Sequence, residues 1–101
     1  MKLQMHSIHF DADRKLISFI QKKADKLDTF YDRIIDGEVF MRLDNHEKNE
    51  NKVIEIKMNV PGKTLFAKHQ SDTFEAAADE AVEALRRQIK KFKEKVVLER
   101  Q

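Results

Sequence analysis

Apolar residues along this 101-residue chain recur at two different periods, and the changes of period mark its elements. Leu3 to Phe10 is a short, partly alternating run with the look of a strand. At Asp13, whose carboxylate suits a helix cap, the spacing changes, and Leu16, Phe19, Ile20, Leu27 and Phe30 recur every three or four residues as an amphipathic helix requires. Lys15, Lys22 and Lys26 fall on its other side. Lys23 falls inside the apolar stripe and is expected to snorkel, methylenes on the core and ammonium in water. Asp36-Gly37 interrupts the pattern, after which Val39, Met41 and Leu43 alternate with Glu38, Phe40 and Arg42 as in a half-buried strand. Asn45 to Asn51 is a polar loop. Ile54, Ile56, Met58 and Val60 alternate with Glu55, Lys57 and Asn59, and Pro61-Gly62 turns the chain into a returning strand, Lys63 to Gln70. On that strand Leu65 and Ala67 compete with Thr64, Phe66 and Lys68 for the inward face; the pattern is taken to place Phe66 inward.

The last element spans Asp72 to Lys95. Asp72 followed by Glu75 has capping-box spacing, with Asp in place of Ser or Thr, and Phe74, Ala78, Val82, Leu85, Ile89 and Phe92 form its apolar side. The order βαβββα predicts an α+β domain covering residues 1–101, a four-stranded mixed sheet with both helices on one face, similar to a double-stranded-RNA-binding domain. The first two strands would be parallel and the rest an antiparallel meander.

Charge adds what periodicity leaves out. The first half of the last helix holds Asp72, Glu75, Asp79, Glu80 and Glu83 and no base, whereas Arg86, Arg87, Lys90, Lys91, Lys93 and Lys95 crowd the second half against Glu94 alone. Residues 86–101 carry seven bases and two acids, so the formal charge of +2 hides a surplus of five there and a deficit of three elsewhere. Complementing the helix macrodipole is worth roughly 0.3–1 kcal/mol per charge and fades within the last turn, so it accounts for about two of six bases. At about 100° per residue, Arg86, Arg87, Lys90 and Lys91 fan over the side opposite Val82, Leu85, Ile89, Phe92 and Val96.

Other chemistry finds little support. The absence of cysteine removes disulfides, thiolate metal sites and thiol nucleophiles. His6 and His9, three apart on a strand, would point to opposite faces, and His46 and His69 sit in a loop and at a strand end, so no metal is expected. Two glycines allow no phosphate-binding glycine loop, no serine has a nucleophile-elbow context, and the carboxylates are scattered among bases, so the chain is not expected to be an enzyme or to hold a cofactor. No apolar run reaches the roughly 18 residues of a membrane span and the start lacks a signal-peptide core, which makes the cytoplasm the expected location.

What remains is a basic face. If the two helices lie side by side, Lys22, Lys23 and Lys26 approach Arg86, Arg87, Lys90 and Lys91, a stripe suited to polyphosphate through counterion release. Exposed aromatics interleaved with the bases, as a base-stacking platform needs, are not evident, which favours folded RNA over single strands.

Two segments then resemble a known family, the ribosome hibernation promoting factors and ribosome-associated inhibitors, also called sigma-54 modulation proteins. Lys26-Leu27-Asp28-Thr29-Phe30-Tyr31-Asp32-Arg33-Ile34 is similar to the segment closing the family's first helix. Asp72-Thr73-Phe74-Glu75-Ala76-Ala77 and Leu85-Arg86-Arg87-Gln88-Ile89-Lys90-Lys91 are similar to the opening and the basic run of its last. The chain departs from the pattern at Ala77, where a larger aliphatic residue is usual, and at Phe66, where small residues are common. The resemblance covers nearly the whole chain and implies the same βαβββα fold. It also implies binding to the small ribosomal subunit between head and body, across the transfer-RNA and messenger-RNA sites. By position, Lys23, Lys26, Arg87, Lys90 and Lys91 match the family's rRNA-facing bases, and face geometry adds Lys22, Arg86, Lys93 and Lys95. Ending at Gln101, the chain looks like the short form, itself expected to be a monomer, with any pairing of ribosomes left to a separate dimerisation partner. The expected function is a translation silencer bound to the small subunit and its rRNA during slow growth. The alternatives are a protein-interaction module modulating a transcription factor through the sheet around Phe40, or a general structured-RNA binder.

Overall fold

A computed structural model describes residues 1–46 and 48–99, the side chain of Glu99 excepted; Glu47 of the polar loop and Arg100 of the basic surplus lie outside the described residues. The elements run β1 (Lys2–Ser7), α1 (Arg14–Phe30), β2 (Asp36–Leu43), β3 (Lys52–Val60), β4 (Lys63–Ser71) and α2 (Phe74–Glu99). The sheet order is β1-β2-β3-β4, with β1 parallel to β2 and the remaining pairs antiparallel. The expected βαβββα mixed sheet is therefore present.

The core lies between sheet and helices. Val39, Met41, Ile54, Ile56 and Met58 project from the sheet, fully buried, against Ile20 and Ala24 of α1 and Ala77, Ala78, Ala81, Leu85 and Ile89 of α2. Stacked rings of Phe10 and Phe74, 5.1 Å apart, and an edge contact of Tyr31 with Phe92 at 5.9 Å close its two ends. Each buried large aliphatic side chain contributes roughly 1.5–3 kcal/mol, which makes this layer the main source of stability.

Caps and turns define the boundaries. Asp13 accepts from the Leu16 amide at 2.8 Å, as its position promised. α2 differs: Thr73, not Asp72, is its cap, with Thr73 Oγ1 accepting from the Ala76 amide at 3.0 Å. Ser71 is still paired with Lys52 in the sheet, and the Asp72 carboxylate turns away to accept from the Glu50 amide at 2.9 Å, fastening the 44–51 loop. The capping-box reading through Asp72 and Glu75 is thereby replaced. Asp36-Gly37, read as an interruption, is the first part of β2. A Cβ at Gly37 would come within 2.8 Å of both Leu3 Cδ2 and Lys57 O, so glycine is what lets β1 and β3 close on β2. β1 also ends before His9, whose φ of 63° takes it out of any strand shared with His6.

Phe66 faces outward. The Pro61-Gly62 turn, with Gly62 at φ 79°, pairs Val60 with Lys63, and that register sets Leu65 opposite Met58 and Ala67 opposite Ile56. Those partners are core residues, and alternation then sends Phe66 to the opposite face, 45% exposed.

Candidate nucleic-acid interface

The two helices lie side by side on the sheet, and the predicted bases run along that layer from Lys23 beside Asp79 to Lys93 beside Phe30. Between α1 and α2 runs a groove of about 330 Å³ lined by Lys23, Lys26 and Phe30 on one wall and Asp79, Glu83 and Arg86 on the other. Its bases are not equally available. Lys23 Nζ pairs with Asp79 Oδ1 at 2.8 Å and lies 5.5 Å from the Phe19 ring centre, so its ammonium is not simply in water. Arg86 Nη1 is 3.3 Å from Glu83 Oε1, with Arg87 Nη1 at 4.0 Å from the same oxygen. Both guanidinium groups are more than half exposed, where such pairs are worth about 0–1 kcal/mol and yield readily to a stronger anion.

Phe30 organises the far end of the groove. The Arg86 guanidinium sits 5.1 Å and the Lys93 ammonium 4.9 Å from its ring centre, and Lys93 Nζ also donates to the Phe30 carbonyl at 2.9 Å. Lys93 thus satisfies a carbonyl at the C-terminal end of α1, a favoured place for a cation. It holds the two helix ends together as well as adding charge.

Lys22, Lys26, Lys90 and Lys91 are exposed, and among the described residues none of the four ammonium groups has a hydrogen-bond or ion-pair partner. At about 100° per residue the α2 bases do not form a single file. Arg86 and Lys93 face α1, Arg87 and Lys90 ride the solvent-facing back, and Lys91 and Lys95 turn to the β4 side. There they line a second groove of about 450 Å³ with Lys63, over a floor of Leu65, Phe92 and Val96. The expected stripe is therefore a cap wrapped around the second half of α2, and of the described bases Lys23, Lys26 and Arg86 meet in the interhelical groove.

Two contributors escaped the sequence reading. Lys63 lies far from the helix in sequence, and only the β3–β4 turn carries it to Lys91; a base directly after Pro-Gly was the available signal. Phe30 was assigned to the core alone. Among the described residues no three histidine or carboxylate side chains converge as a metal site would require, and no helix is long and apolar enough to cross a membrane.

Sequence comparison places this geometry in a family. The profile of the family described as sigma 54 modulation protein / S30EA ribosomal protein matches residues 3–97. This chain belongs to that family. A relative from Deinococcus radiodurans named ribosome hibernation promotion factor is 30% identical over 97% of this chain and 52% of its own length. The chain thus spans about half of that relative. The ribosome hibernation promoting factor of Pseudomonas putida is 28% identical, the match covering 94% of this chain and 89% of the relative. Among solved structures, a ribosomal subunit interface protein from Coxiella burnetii superposes with TM-score 0.83 at 22% identity, covering 92% of this chain and 98% of that one. The Protein Y N-terminal domain of Thermus thermophilus gives TM-score 0.79 at 22% identity, covering 91% and 99%. At that identity the likeness establishes the fold, not the activity.

Proposed function

We propose that this protein is a ribosome-associated hibernation factor, a translation silencer that acts in the cytoplasm by occupancy rather than by catalysis. Its cationic cap seats on ribosomal RNA of the small subunit, in the channel where transfer RNA and messenger RNA lie, and excludes both. Family membership and the names of the Deinococcus and Pseudomonas relatives support the reading. The observation that carries it is the cap itself: Lys26, Lys90 and Lys91 without acidic partners among the described residues, beside the weakly held Arg86 and Arg87.

The physical reason is counterion release. Each phosphate neutralised frees condensed cations, so six contacts give a log–log salt slope of roughly −5 with the duplex coefficient of about 0.9 per contact. A cap held on helices packed over one core is pre-organised, and matches phosphates fixed in folded RNA better than phosphates on a flexible strand.

Sedimentation with purified small subunits tests this. The protein co-migrates at low salt, dissociates steeply as salt rises, and is displaced by initiator transfer RNA. Failure to co-migrate at low salt, or co-migration indifferent to initiator transfer RNA, overturns the reading. Equal affinity for an arbitrary RNA duplex points instead to a general structured-RNA binder.

A further inference from the structure

The outer face of the sheet, on the reverse of the two helices, carries features that the cationic cap does not use. Phe66 of β4 is 45% exposed there and packs into no core. Phe40 of β2 shares the face, stacked on His6 of β1 with ring centres 4.8 Å apart and planes 16° from parallel. Lys57 of β3 stands between the two rings: it is the register partner of Phe66, and its ammonium lies 5.6 Å from the Phe40 ring centre. Two strand spacings across the sheet and two residues along it, about 12 Å in all, separate the two positions.

The acids on this face are engaged. Glu55 is held by Arg42 at 2.8 Å with Lys68 at 3.8 Å, and Glu38 lies 3.1 Å from His6 Nε2. Lys57 has Glu38 as its register partner on β2 but makes no ion pair among the described residues, its ammonium lying over the Phe40 ring where an incoming anion can reach it. The face therefore carries its two rings on a diagonal, with Lys57 and the Arg42-held Glu55 on the strand between them. An amphipathic helix of a partner protein would want a continuous apolar groove, which a lysine between two rings interrupts. A nucleobase wants a ring face, and the phosphate joined to it wants the lysine.

We propose that this face binds single-stranded RNA, with Phe66 and the His6–Phe40 stack receiving unpaired bases and Lys57 meeting the phosphate between them. A four-stranded sheet backed by helices and bearing exposed rings is a geometry in which bases stack on side chains. Stacking is tolerant of sequence, because every base has a π face. The proposal goes beyond the occupancy role and is independent of it, since it uses the opposite side of the molecule.

Fluorescence anisotropy with a labelled ten-nucleotide oligoadenosine at low salt tests it, in a background carrying Arg87→Gln, Lys90→Gln and Lys91→Gln so that the cap contributes less to the binding. The background protein binds the single strand, Phe66→Ala weakens it about tenfold, the order of one lost base–aromatic stack, and Phe66→Trp retains it. A blunt RNA duplex, whose bases cannot splay onto the rings, competes poorly. The proposal is overturned if the background protein does not bind the single strand, if Phe66→Ala leaves affinity unchanged, if Phe66→Trp loses as much as Phe66→Ala, or if the duplex competes equally. None of these results depends on whether the protein co-sediments with ribosomal subunits.

Discussion

The two halves of α2 share one helix and one apolar stripe but use their charges in opposite ways. From Phe74 to Glu83 the helix presses three fully buried alanines, Ala77, Ala78 and Ala81, against the layer below, and its acids are partly consumed within the molecule. Asp79 holds Lys23 across the interhelical groove, and Glu80 lies 3.3 Å from His69 Nδ1. From Arg86 onward burial fades: Ile89 is fully enclosed, Phe92 and Val96 are half-buried, and Val97 and Leu98 are 56% and 68% exposed. Here acids are few, and Lys90 and Lys91 stay in solvent without an ion-pair partner among the described residues. The difference teaches that charge on a helix becomes a binding surface where the fold supplies no counter-charge. Glu83, reaching both Arg86 and Arg87, marks the boundary between the regimes.

The largest expected effect comes from inverting the second half. Arg87→Glu, Lys90→Glu and Lys91→Glu together lower affinity for small subunits by about 100-fold or more and make the salt slope shallower by about 3, while thermal unfolding shifts little because all three side chains are exposed. An unchanged salt slope would show that these bases are merely solvated. In the first half the sensitivity is reversed. Ala81→Leu, at a fully buried position, costs about 1–3 kcal/mol by overpacking, read from urea denaturation. Thr73→Ala removes the cap and costs about 0.5–2 kcal/mol, whereas Asp72→Ala leaves α2 capped and loosens only the tie to Glu50. Measuring the two side by side decides which residue starts the helix. The smallest effect is the most discriminating: Asp79→Asn lowers stability by less than about 1 kcal/mol but releases Lys23, so RNA binding strengthens and the salt slope steepens by up to about 1. A slope that stays put would mean that Lys23 serves the helix pair alone.

Much of this was legible before any coordinates. Asp13 as a cap, the stripe from Leu16 to Phe30, the alternation of β3 and the Pro61-Gly62 turn are local signals, and each was met. The errors share one cause: each depends on what a distant strand supplies. Phe66 reads as a core residue until Met58 and Ile56 are set opposite its neighbours, and Gly37 reads as a break until Leu3 and Lys57 are seen pressing on it. Asp72 outranks Thr73 as a cap on local grounds, yet it is drawn to an amide 22 residues earlier. The site follows the same rule. The cluster from Arg86 to Lys95 is written in consecutive residues, while Lys63 beside Lys91, Phe30 beneath Arg86, and the Lys23–Asp79 pair are consequences of packing.

Sequence by itself determined the number, type and order of the elements and the charge polarity of α2, because periodicity, caps and charge runs act over one or two turns of chain. Tertiary structure alone decided which face of β4 is solvent, which bases are neutralised and which remain available, and that two aromatic rings share an open sheet with a lysine between them. Those outcomes rest on strand register and helix adjacency, which join residues far apart along the chain and are chosen by the burial of the whole core.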